Sequence, residues 1–112
     1  MLRTPSDFAA LSAAPGVTTP LLGVRHRTVA VTESTASLRL GIATSRKVGN
    51  AVVRNRIRRR LKSIARELAP QVRPGAEILI GVRTAASTAT SAELRAALTD
   101  CLRRARLVEV SA

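Results

Sequence analysis

Aromatic side chains are almost missing from this chain: Phe8 stands alone, with no Tyr and no Trp among 112 residues. A core must therefore come from Leu, Ile and Val together with 19 alanines, which is enough for one domain of ordinary size, residues 1–112, and too little for two. Cysteine is nearly absent as well. Cys101 alone cannot close an internal disulfide, so a reducing cytoplasm is the expected compartment. It lies on the apolar stripe of a predicted helix, where core packing accounts for it. His26 is the only histidine, and with no Cys or carboxylate cluster near it a metal or triad role has nothing to build on. Acids are few and scattered, seven in all, and no pair has the spacing that two-metal hydrolysis requires. No apolar run approaches the roughly 20 residues of a membrane helix. The best is Ile78-Leu79-Ile80-Gly81-Val82, and residues 1–20 lack the continuous apolar stretch of a secretory leader.

What is abundant is positive charge. Nineteen Lys and Arg against seven Asp and Glu leave a net charge of +12. Such a surplus speaks of a polyanionic partner more than of a fold. Seventeen of the bases are Arg, whose planar fork matches phosphate and stacks on bases. The charge is also concentrated. Residues 34–66 hold ten bases and no acid, and six of the nine residues 54–62 are Arg or Lys. A solvated helix face ordinarily interleaves Glu with Lys to gain i,i+4 pairs, and here no Glu appears before Glu67. A bare solvated face or a targeting-like basic run is the bland alternative. The pattern favours nucleic-acid binding.

Periodicity places that block on a helix. Asn50 can cap a helix over 51–68, closed ahead of Pro70. On a helical wheel Val53, Ile57, Leu61, Ile64 and Leu68 form one apolar stripe. Arg54, Asn55, Arg58, Arg59, Lys62 and Arg66 share the opposite face, and Arg56 and Arg60 flank the stripe. Ahead of it, Leu38, Leu40 and Ile42 alternate as a half-buried strand, and residues 17–32 read as one or two strands. A short first helix is expected over 3–14, ended by Pro15-Gly16, with Phe8 and Leu11 on one face. Beyond the basic helix, Pro74-Gly75 turns into a buried strand over 76–82, and residues 85–90 form a small-residue loop. A capping box, Thr90 with Glu93, opens a last helix running to about Arg106. The order αβββαβα describes an α+β sandwich, a mostly antiparallel sheet with helices around it. The start of the basic helix beside Arg46 and Lys47 also suits a phosphate.

The run from Leu40 to Arg59, and within it Arg46-Lys47-Val48-Gly49-Asn50-Ala51-Val52-Val53-Arg54-Asn55-Arg56-Ile57-Arg58-Arg59, resembles the signature of the bacterial ribonuclease P protein family. The match is specific over about 20 residues and looser over the rest. The resemblance implies an RNA-catalysed, Mg²⁺-dependent endonuclease that removes the 5′ leader of precursor tRNA. Its catalytic centre and most of its Mg²⁺ would lie in the RNA subunit, with no catalytic residue in the protein. By the same resemblance Arg46, Lys47, Arg54, Asn55, Arg56, Arg58, Arg59 and Lys62 face the catalytic RNA, while Phe8 and Arg25 belong to a leader-binding cleft. It implies a left-handed β-α-β crossover around the basic helix, where physics alone would favour the right-handed form. It requires neither a membrane nor a protein partner. Relatives usually carry further aromatics where this chain has Ser12, Leu22 and Arg25, so leader binding here is expected to lean on arginine and phosphate contacts. A structural RNA-binding protein, such as a ribosomal protein, is the alternative; a protein-only nuclease would need the carboxylates that are missing.

Overall fold

A computed structural model describes residues 14–33 and 38–108 of the chain, so the first helix expected over 3–14, all but its last residue, and its Phe8 lie outside the described residues. Strands β1 (Gly16–Thr18), β2 (Leu22–Thr28), β3 (Arg39–Thr44) and β4 (Ala76–Val82) form one sheet in the order β1-β2-β4-β3. Helix α1 (Ala51–Leu68) joins β3 to β4, and helix α2 (Ser91–Arg104) follows β4. Two of the three strand pairings are antiparallel; β3 and β4 run parallel, as a β-α-β connection through α1 allows. The described part thus has the expected order and a mostly antiparallel sheet.

The hairpin between β1 and β2 is pinned by Thr19, whose Oγ1 accepts from the amides of Leu21 and Leu22 at 3.3 and 3.0 Å. The entry to β4 needs Gly75. Its φ is 80°, and a Cβ there would lie 2.3 Å from the Val29 carbonyl oxygen, while Gly75's own carbonyl accepts from Val29 N–H.

The pairing register divides the sheet's side chains into two faces. Leu22 opposes Val82, Val24 opposes Ile80, and Leu40 and Ile42 oppose Ile78 and Ile80. All of these but Ile42, which packs against the others half-buried, form one buried cluster with Ile57, Leu61 and Ile64 of α1 and Leu94, Leu98, Cys101 and Leu102 of α2. Both helices therefore cover that face. Burial of these aliphatic side chains, each worth about 1.5–3 kcal/mol, replaces the aromatic core the composition denies. Positions one residue out of step carry the opposite face. Three rows cross it: Arg27, Glu77 and Arg39; Arg25, Leu79 and Gly41; Gly23, Gly81 and Ala43.

On that opposite face Glu77 is the one charged residue that is fully buried among the described residues, ion-paired with both Arg27 and Arg39. The strand that reads as a plain buried run thus carries a carboxylate gripped from both neighbouring strands. The last helix ends earlier than its pattern suggests, at Arg104, because Arg106 takes a left-handed φ of 59° and Leu107 N–H turns back to the Leu102 carbonyl at 2.9 Å. The segment expected as a loop over 85–90 contains a 3₁₀ turn, Thr84–Thr88, that buries Ala86.

Candidate nucleic-acid interface

Helix α1 begins where the sequence says it should. Asn50 has extended backbone, and its Oδ1 accepts from Val53 N–H at 3.0 Å. The preceding Arg46–Val48 forms a 3₁₀ turn whose Val48 is buried while Arg46 and Lys47 are exposed. Gly49, at φ 156°, bends the chain from that turn into the helix; a Cβ on it would crowd Val53 at 3.0 Å. The turn and the helix thus hold Arg46 and Lys47 just ahead of α1's first free amides.

Along α1 the apolar stripe lies in the core: Ile57, Leu61, Ile64, Ala65 and Leu68 are buried. Asn55, Arg56, Arg59 and Lys62 are exposed, and Arg54 and Arg58 are half-buried. Arg58 donates to Asn55 Oδ1 at a marginal 3.5 Å. The Nε of Arg54 is buried with no hydrogen-bond partner. Arg60, which the wheel sets beside the stripe, is half-buried and reaches the Ala89 carbonyl at 3.4 Å, a tie to the start of α2. The helix carries no acid in its first turn. Its only carboxylate, Glu67, sits in the last turn and pairs with Arg95 of α2.

A shallow surface hollow on α1 gathers four of the expected residues, Asn55, Arg58, Arg59 and Lys62, around Val52. Val52 is 72% exposed, an apolar spot amid cations. Sequence reasoning passed over it, although its wheel position, well off the apolar stripe, was the available signal.

Arg25 stands apart from this group. It lies on β2, in register with Leu79, on the sheet face turned away from the two helices. Its Nη1 donates to the Ala14 carbonyl at 2.8 Å, and its side chain runs across Gly16, where a Cβ would meet Arg25 Cγ at 3.3 Å. Beside it lies a hollow of about 280 Å³ lined by Gly16, Thr18, Gly23, Arg25, Leu79 and Gly81 among others. His26, one position on, is half-buried. Among the described residues no group of three or more His, Cys, Asp or Glu is placed to hold a metal ion, and no helix is long and apolar enough to cross a membrane.

These features define a small basic α+β protein whose charge is concentrated on one helix packed against a four-stranded sheet. A family model described as Ribonuclease P matches residues 1–106. The ribonuclease P protein component of a Mycobacterium species (strain KMS) is 43% identical over 75 residues, 66% of this chain and 64% of that one. The component from Lactiplantibacillus plantarum is 37% identical over 71 residues, covering 63% and 62%. The matched region thus spans a little under two thirds of these curated relatives. Among solved structures, the RNase P protein from Thermotoga maritima, in complex with a fluorophenyl thiourea, superposes with a TM-score of 0.81 at 25% identity, covering 93% of this chain and 98% of its own. The Staphylococcus aureus RNase P protein shares the fold, with a TM-score of 0.81, 23% identity and 96% coverage of both chains. The chain belongs to the ribonuclease P protein family.

Proposed function

We propose that residues 1–112 act as one RNA-binding domain, the protein subunit of a ribonuclease P ribonucleoprotein. The reading rests on one observation above others: an exposed helical face of Asn55, Arg56, Arg59 and Lys62, flanked by Arg54 and Arg58 and preceded by Arg46 and Lys47, with no carboxylate to neutralise it before Glu67. Such a face is complementary to the phosphates of a folded RNA. Each phosphate it neutralises releases condensed counterions, so binding should weaken steeply with salt. Between catalytic RNA and precursor tRNA, it would offset the repulsion of two polyanions and lower the Mg²⁺ needed for cleavage.

The chemistry would belong to the RNA. The described residues do not suit Mg²⁺: their carboxylates are scattered, and the most buried, Glu77, is held by two arginines. The sheet face carrying Arg25 and its glycine-lined hollow, together with Phe8, would take the unpaired 5′ leader. Backbone and Leu79 stand there in place of aromatic platforms. Base stacking on an aromatic is worth about 1–3 kcal/mol, so leader binding here should depend more on arginine and phosphate, and fall faster with salt. Action in the cytoplasm, without a membrane or another protein, completes the reading.

The test is cleavage of a precursor tRNA by the ribonuclease P RNA of the same bacterium at low Mg²⁺, with and without this chain. Strong stimulation that disappears when the leader is cut to one or two nucleotides is the expected result. Tight RNA binding without stimulation would overturn the assignment.

A further inference from the structure

A second group of arginines gathers at the far end of the helical layer. The amide of Arg73 donates to the Leu107 carbonyl at 2.8 Å, and Val72 bridges to Val108. The segment that leaves α1 is thereby joined to the segment that leaves α2, and Arg73 is set beside Arg106. Arg103 stands in the last turn of α2. All three side chains are exposed. Asp100 pairs with Arg104, whose Nη1 also donates to the Thr18 carbonyl at 2.8 Å. Arg73, Arg103 and Arg106 have no ion-pair partner among the described residues.

Helix-end electrostatics account for part of this, because cations near a helix C-terminus interact favourably with its dipole. That suffices for Arg103 and Arg104. It does not explain Arg106, which occupies the left-handed position closing α2 at φ 59°, among the described residues the only non-glycine with positive φ. A glycine fits that position without strain, and an L side chain does so at a cost. An exposed cation held at a strained site, beside two more cations with no carboxylate partner among the described residues, points to an anionic partner outside the chain.

From the cluster we infer that Arg73, Arg103 and Arg106 form a second RNA-phosphate contact, separate from the face of α1. At 1.5 Å per residue, Arg54 lies about 21 Å along the axis from the end of α1, so the cluster would meet a different RNA segment from the one held by the start of that helix. The inference rests on the reading of RNA as the partner, and the experiment is built to separate the two.

Affinity would be measured across a KCl series for two probes: the ribonuclease P RNA with the free protein, and a precursor tRNA with the assembled holoenzyme. R106G is the first variant. It should raise Tm by about 4 °C through relief of the left-handed strain while weakening binding to one of the probes. A triple variant, R73Q/R103Q/R106Q, should reduce the salt slope by about two to three and lower affinity at least tenfold at moderate salt. The probe that responds identifies which RNA is touched. A stabilised R106G with unchanged affinity for both probes, and an unchanged salt slope in the triple variant, would overturn the inference. R58Q on α1 is the control. If it weakens binding while the cluster variants do not, only the second contact fails. If neither weakens binding, the reading of α1 fails with it.

Discussion

The two helices pack into the same core but differ in how their charges are matched. Helix α2 matches most of its charges, Arg95 with Glu67 of α1 and the others along its own length, and among the described residues leaves only Arg103 at its end without a carboxylate. Thr90 and Glu93 complete a capping box at its start, and Asp100 pairs with Arg104 one turn apart near its end. Helix α1 has a side-chain cap from Asn50 and little else of that kind: no acid in its first turn, and a row of cations facing solvent. Repulsion among those cations costs folding free energy, so they are better explained by a partner than by the stability of the helix. On the proposed reading, function is concentrated where local stability is left incomplete.

The comparison can be broken most sharply by removing the three cations that line the hollow on α1. R58A/R59A/K62A should lower affinity for the ribonuclease P RNA by about a hundredfold at moderate salt and flatten its salt dependence by two to three counterions. Its Tm, read on the same sample, should stay level or rise as like charges are removed. A fall in Tm parallel to the fall in affinity would mean the arginines serve the fold. Removing Glu77 should do the reverse. E77A leaves two arginines facing each other over a buried gap and should destabilise by about 3 kcal/mol in urea unfolding. This is the lower end of the cost of breaking a buried ion pair, because Arg27 and Arg39 keep part of their side chains in water.

Smaller effects sharpen α2's side of the contrast. T90A removes the cap and should cost about 1 kcal/mol, with no change in RNA affinity. Hydrogen bonding to Thr90, first through its backbone and then its side chain, holds the Glu93 carboxyl below its ordinary value of 4.5. The folded state therefore gains from Glu93 at pH values above 4.5, and that gain fades as pH falls through the lower folded value. Acid unfolding of E93Q should lack this component. Last, burial pushes the Cys101 thiol above its ordinary value of 9.0. It should resist alkylation at neutral pH until the chain unfolds, and fast labelling of the native protein would place it outside the core.

Local pattern made much of this molecule legible. The limits of α1 and of β4, the Thr90–Glu93 box and the buried helical stripe follow from periodicity, caps and turn residues, all encoded within a few neighbours. The resemblance at Leu40 to Arg59 supplied the family. What stayed hidden depends on contacts distant in sequence. Glu77 meets Arg27 and Arg39 across 50 and 38 residues, and no window along the chain relates them. An acid inside an apolar strand was the only hint. The helical wheel sets Arg60 beside the apolar stripe, but its tie to the Ala89 carbonyl, 29 residues away, is invisible to any local pattern. The early end of α2 came from the left-handed turn at Arg106, where the sequence shows an arginine in place of the usual glycine or asparagine.

The contrast between the helices is tested most directly by directed hydroxyl-radical probing of the assembled ribonucleoprotein, with one iron chelate on each helix in turn. V52C attaches it amid α1's cations, at a residue 72% exposed, and A96C attaches it to an exposed position on α2. Cys101 is buried and need not be replaced. Strong, localised cuts in the ribonuclease P RNA from V52C, in a segment that A96C leaves uncut, are the result that α1 as the RNA interface predicts. Cuts of that same segment from A96C, equal to or stronger than those from V52C, would contradict it, whereas cuts from A96C confined to another segment would belong to the contact at Arg73, Arg103 and Arg106.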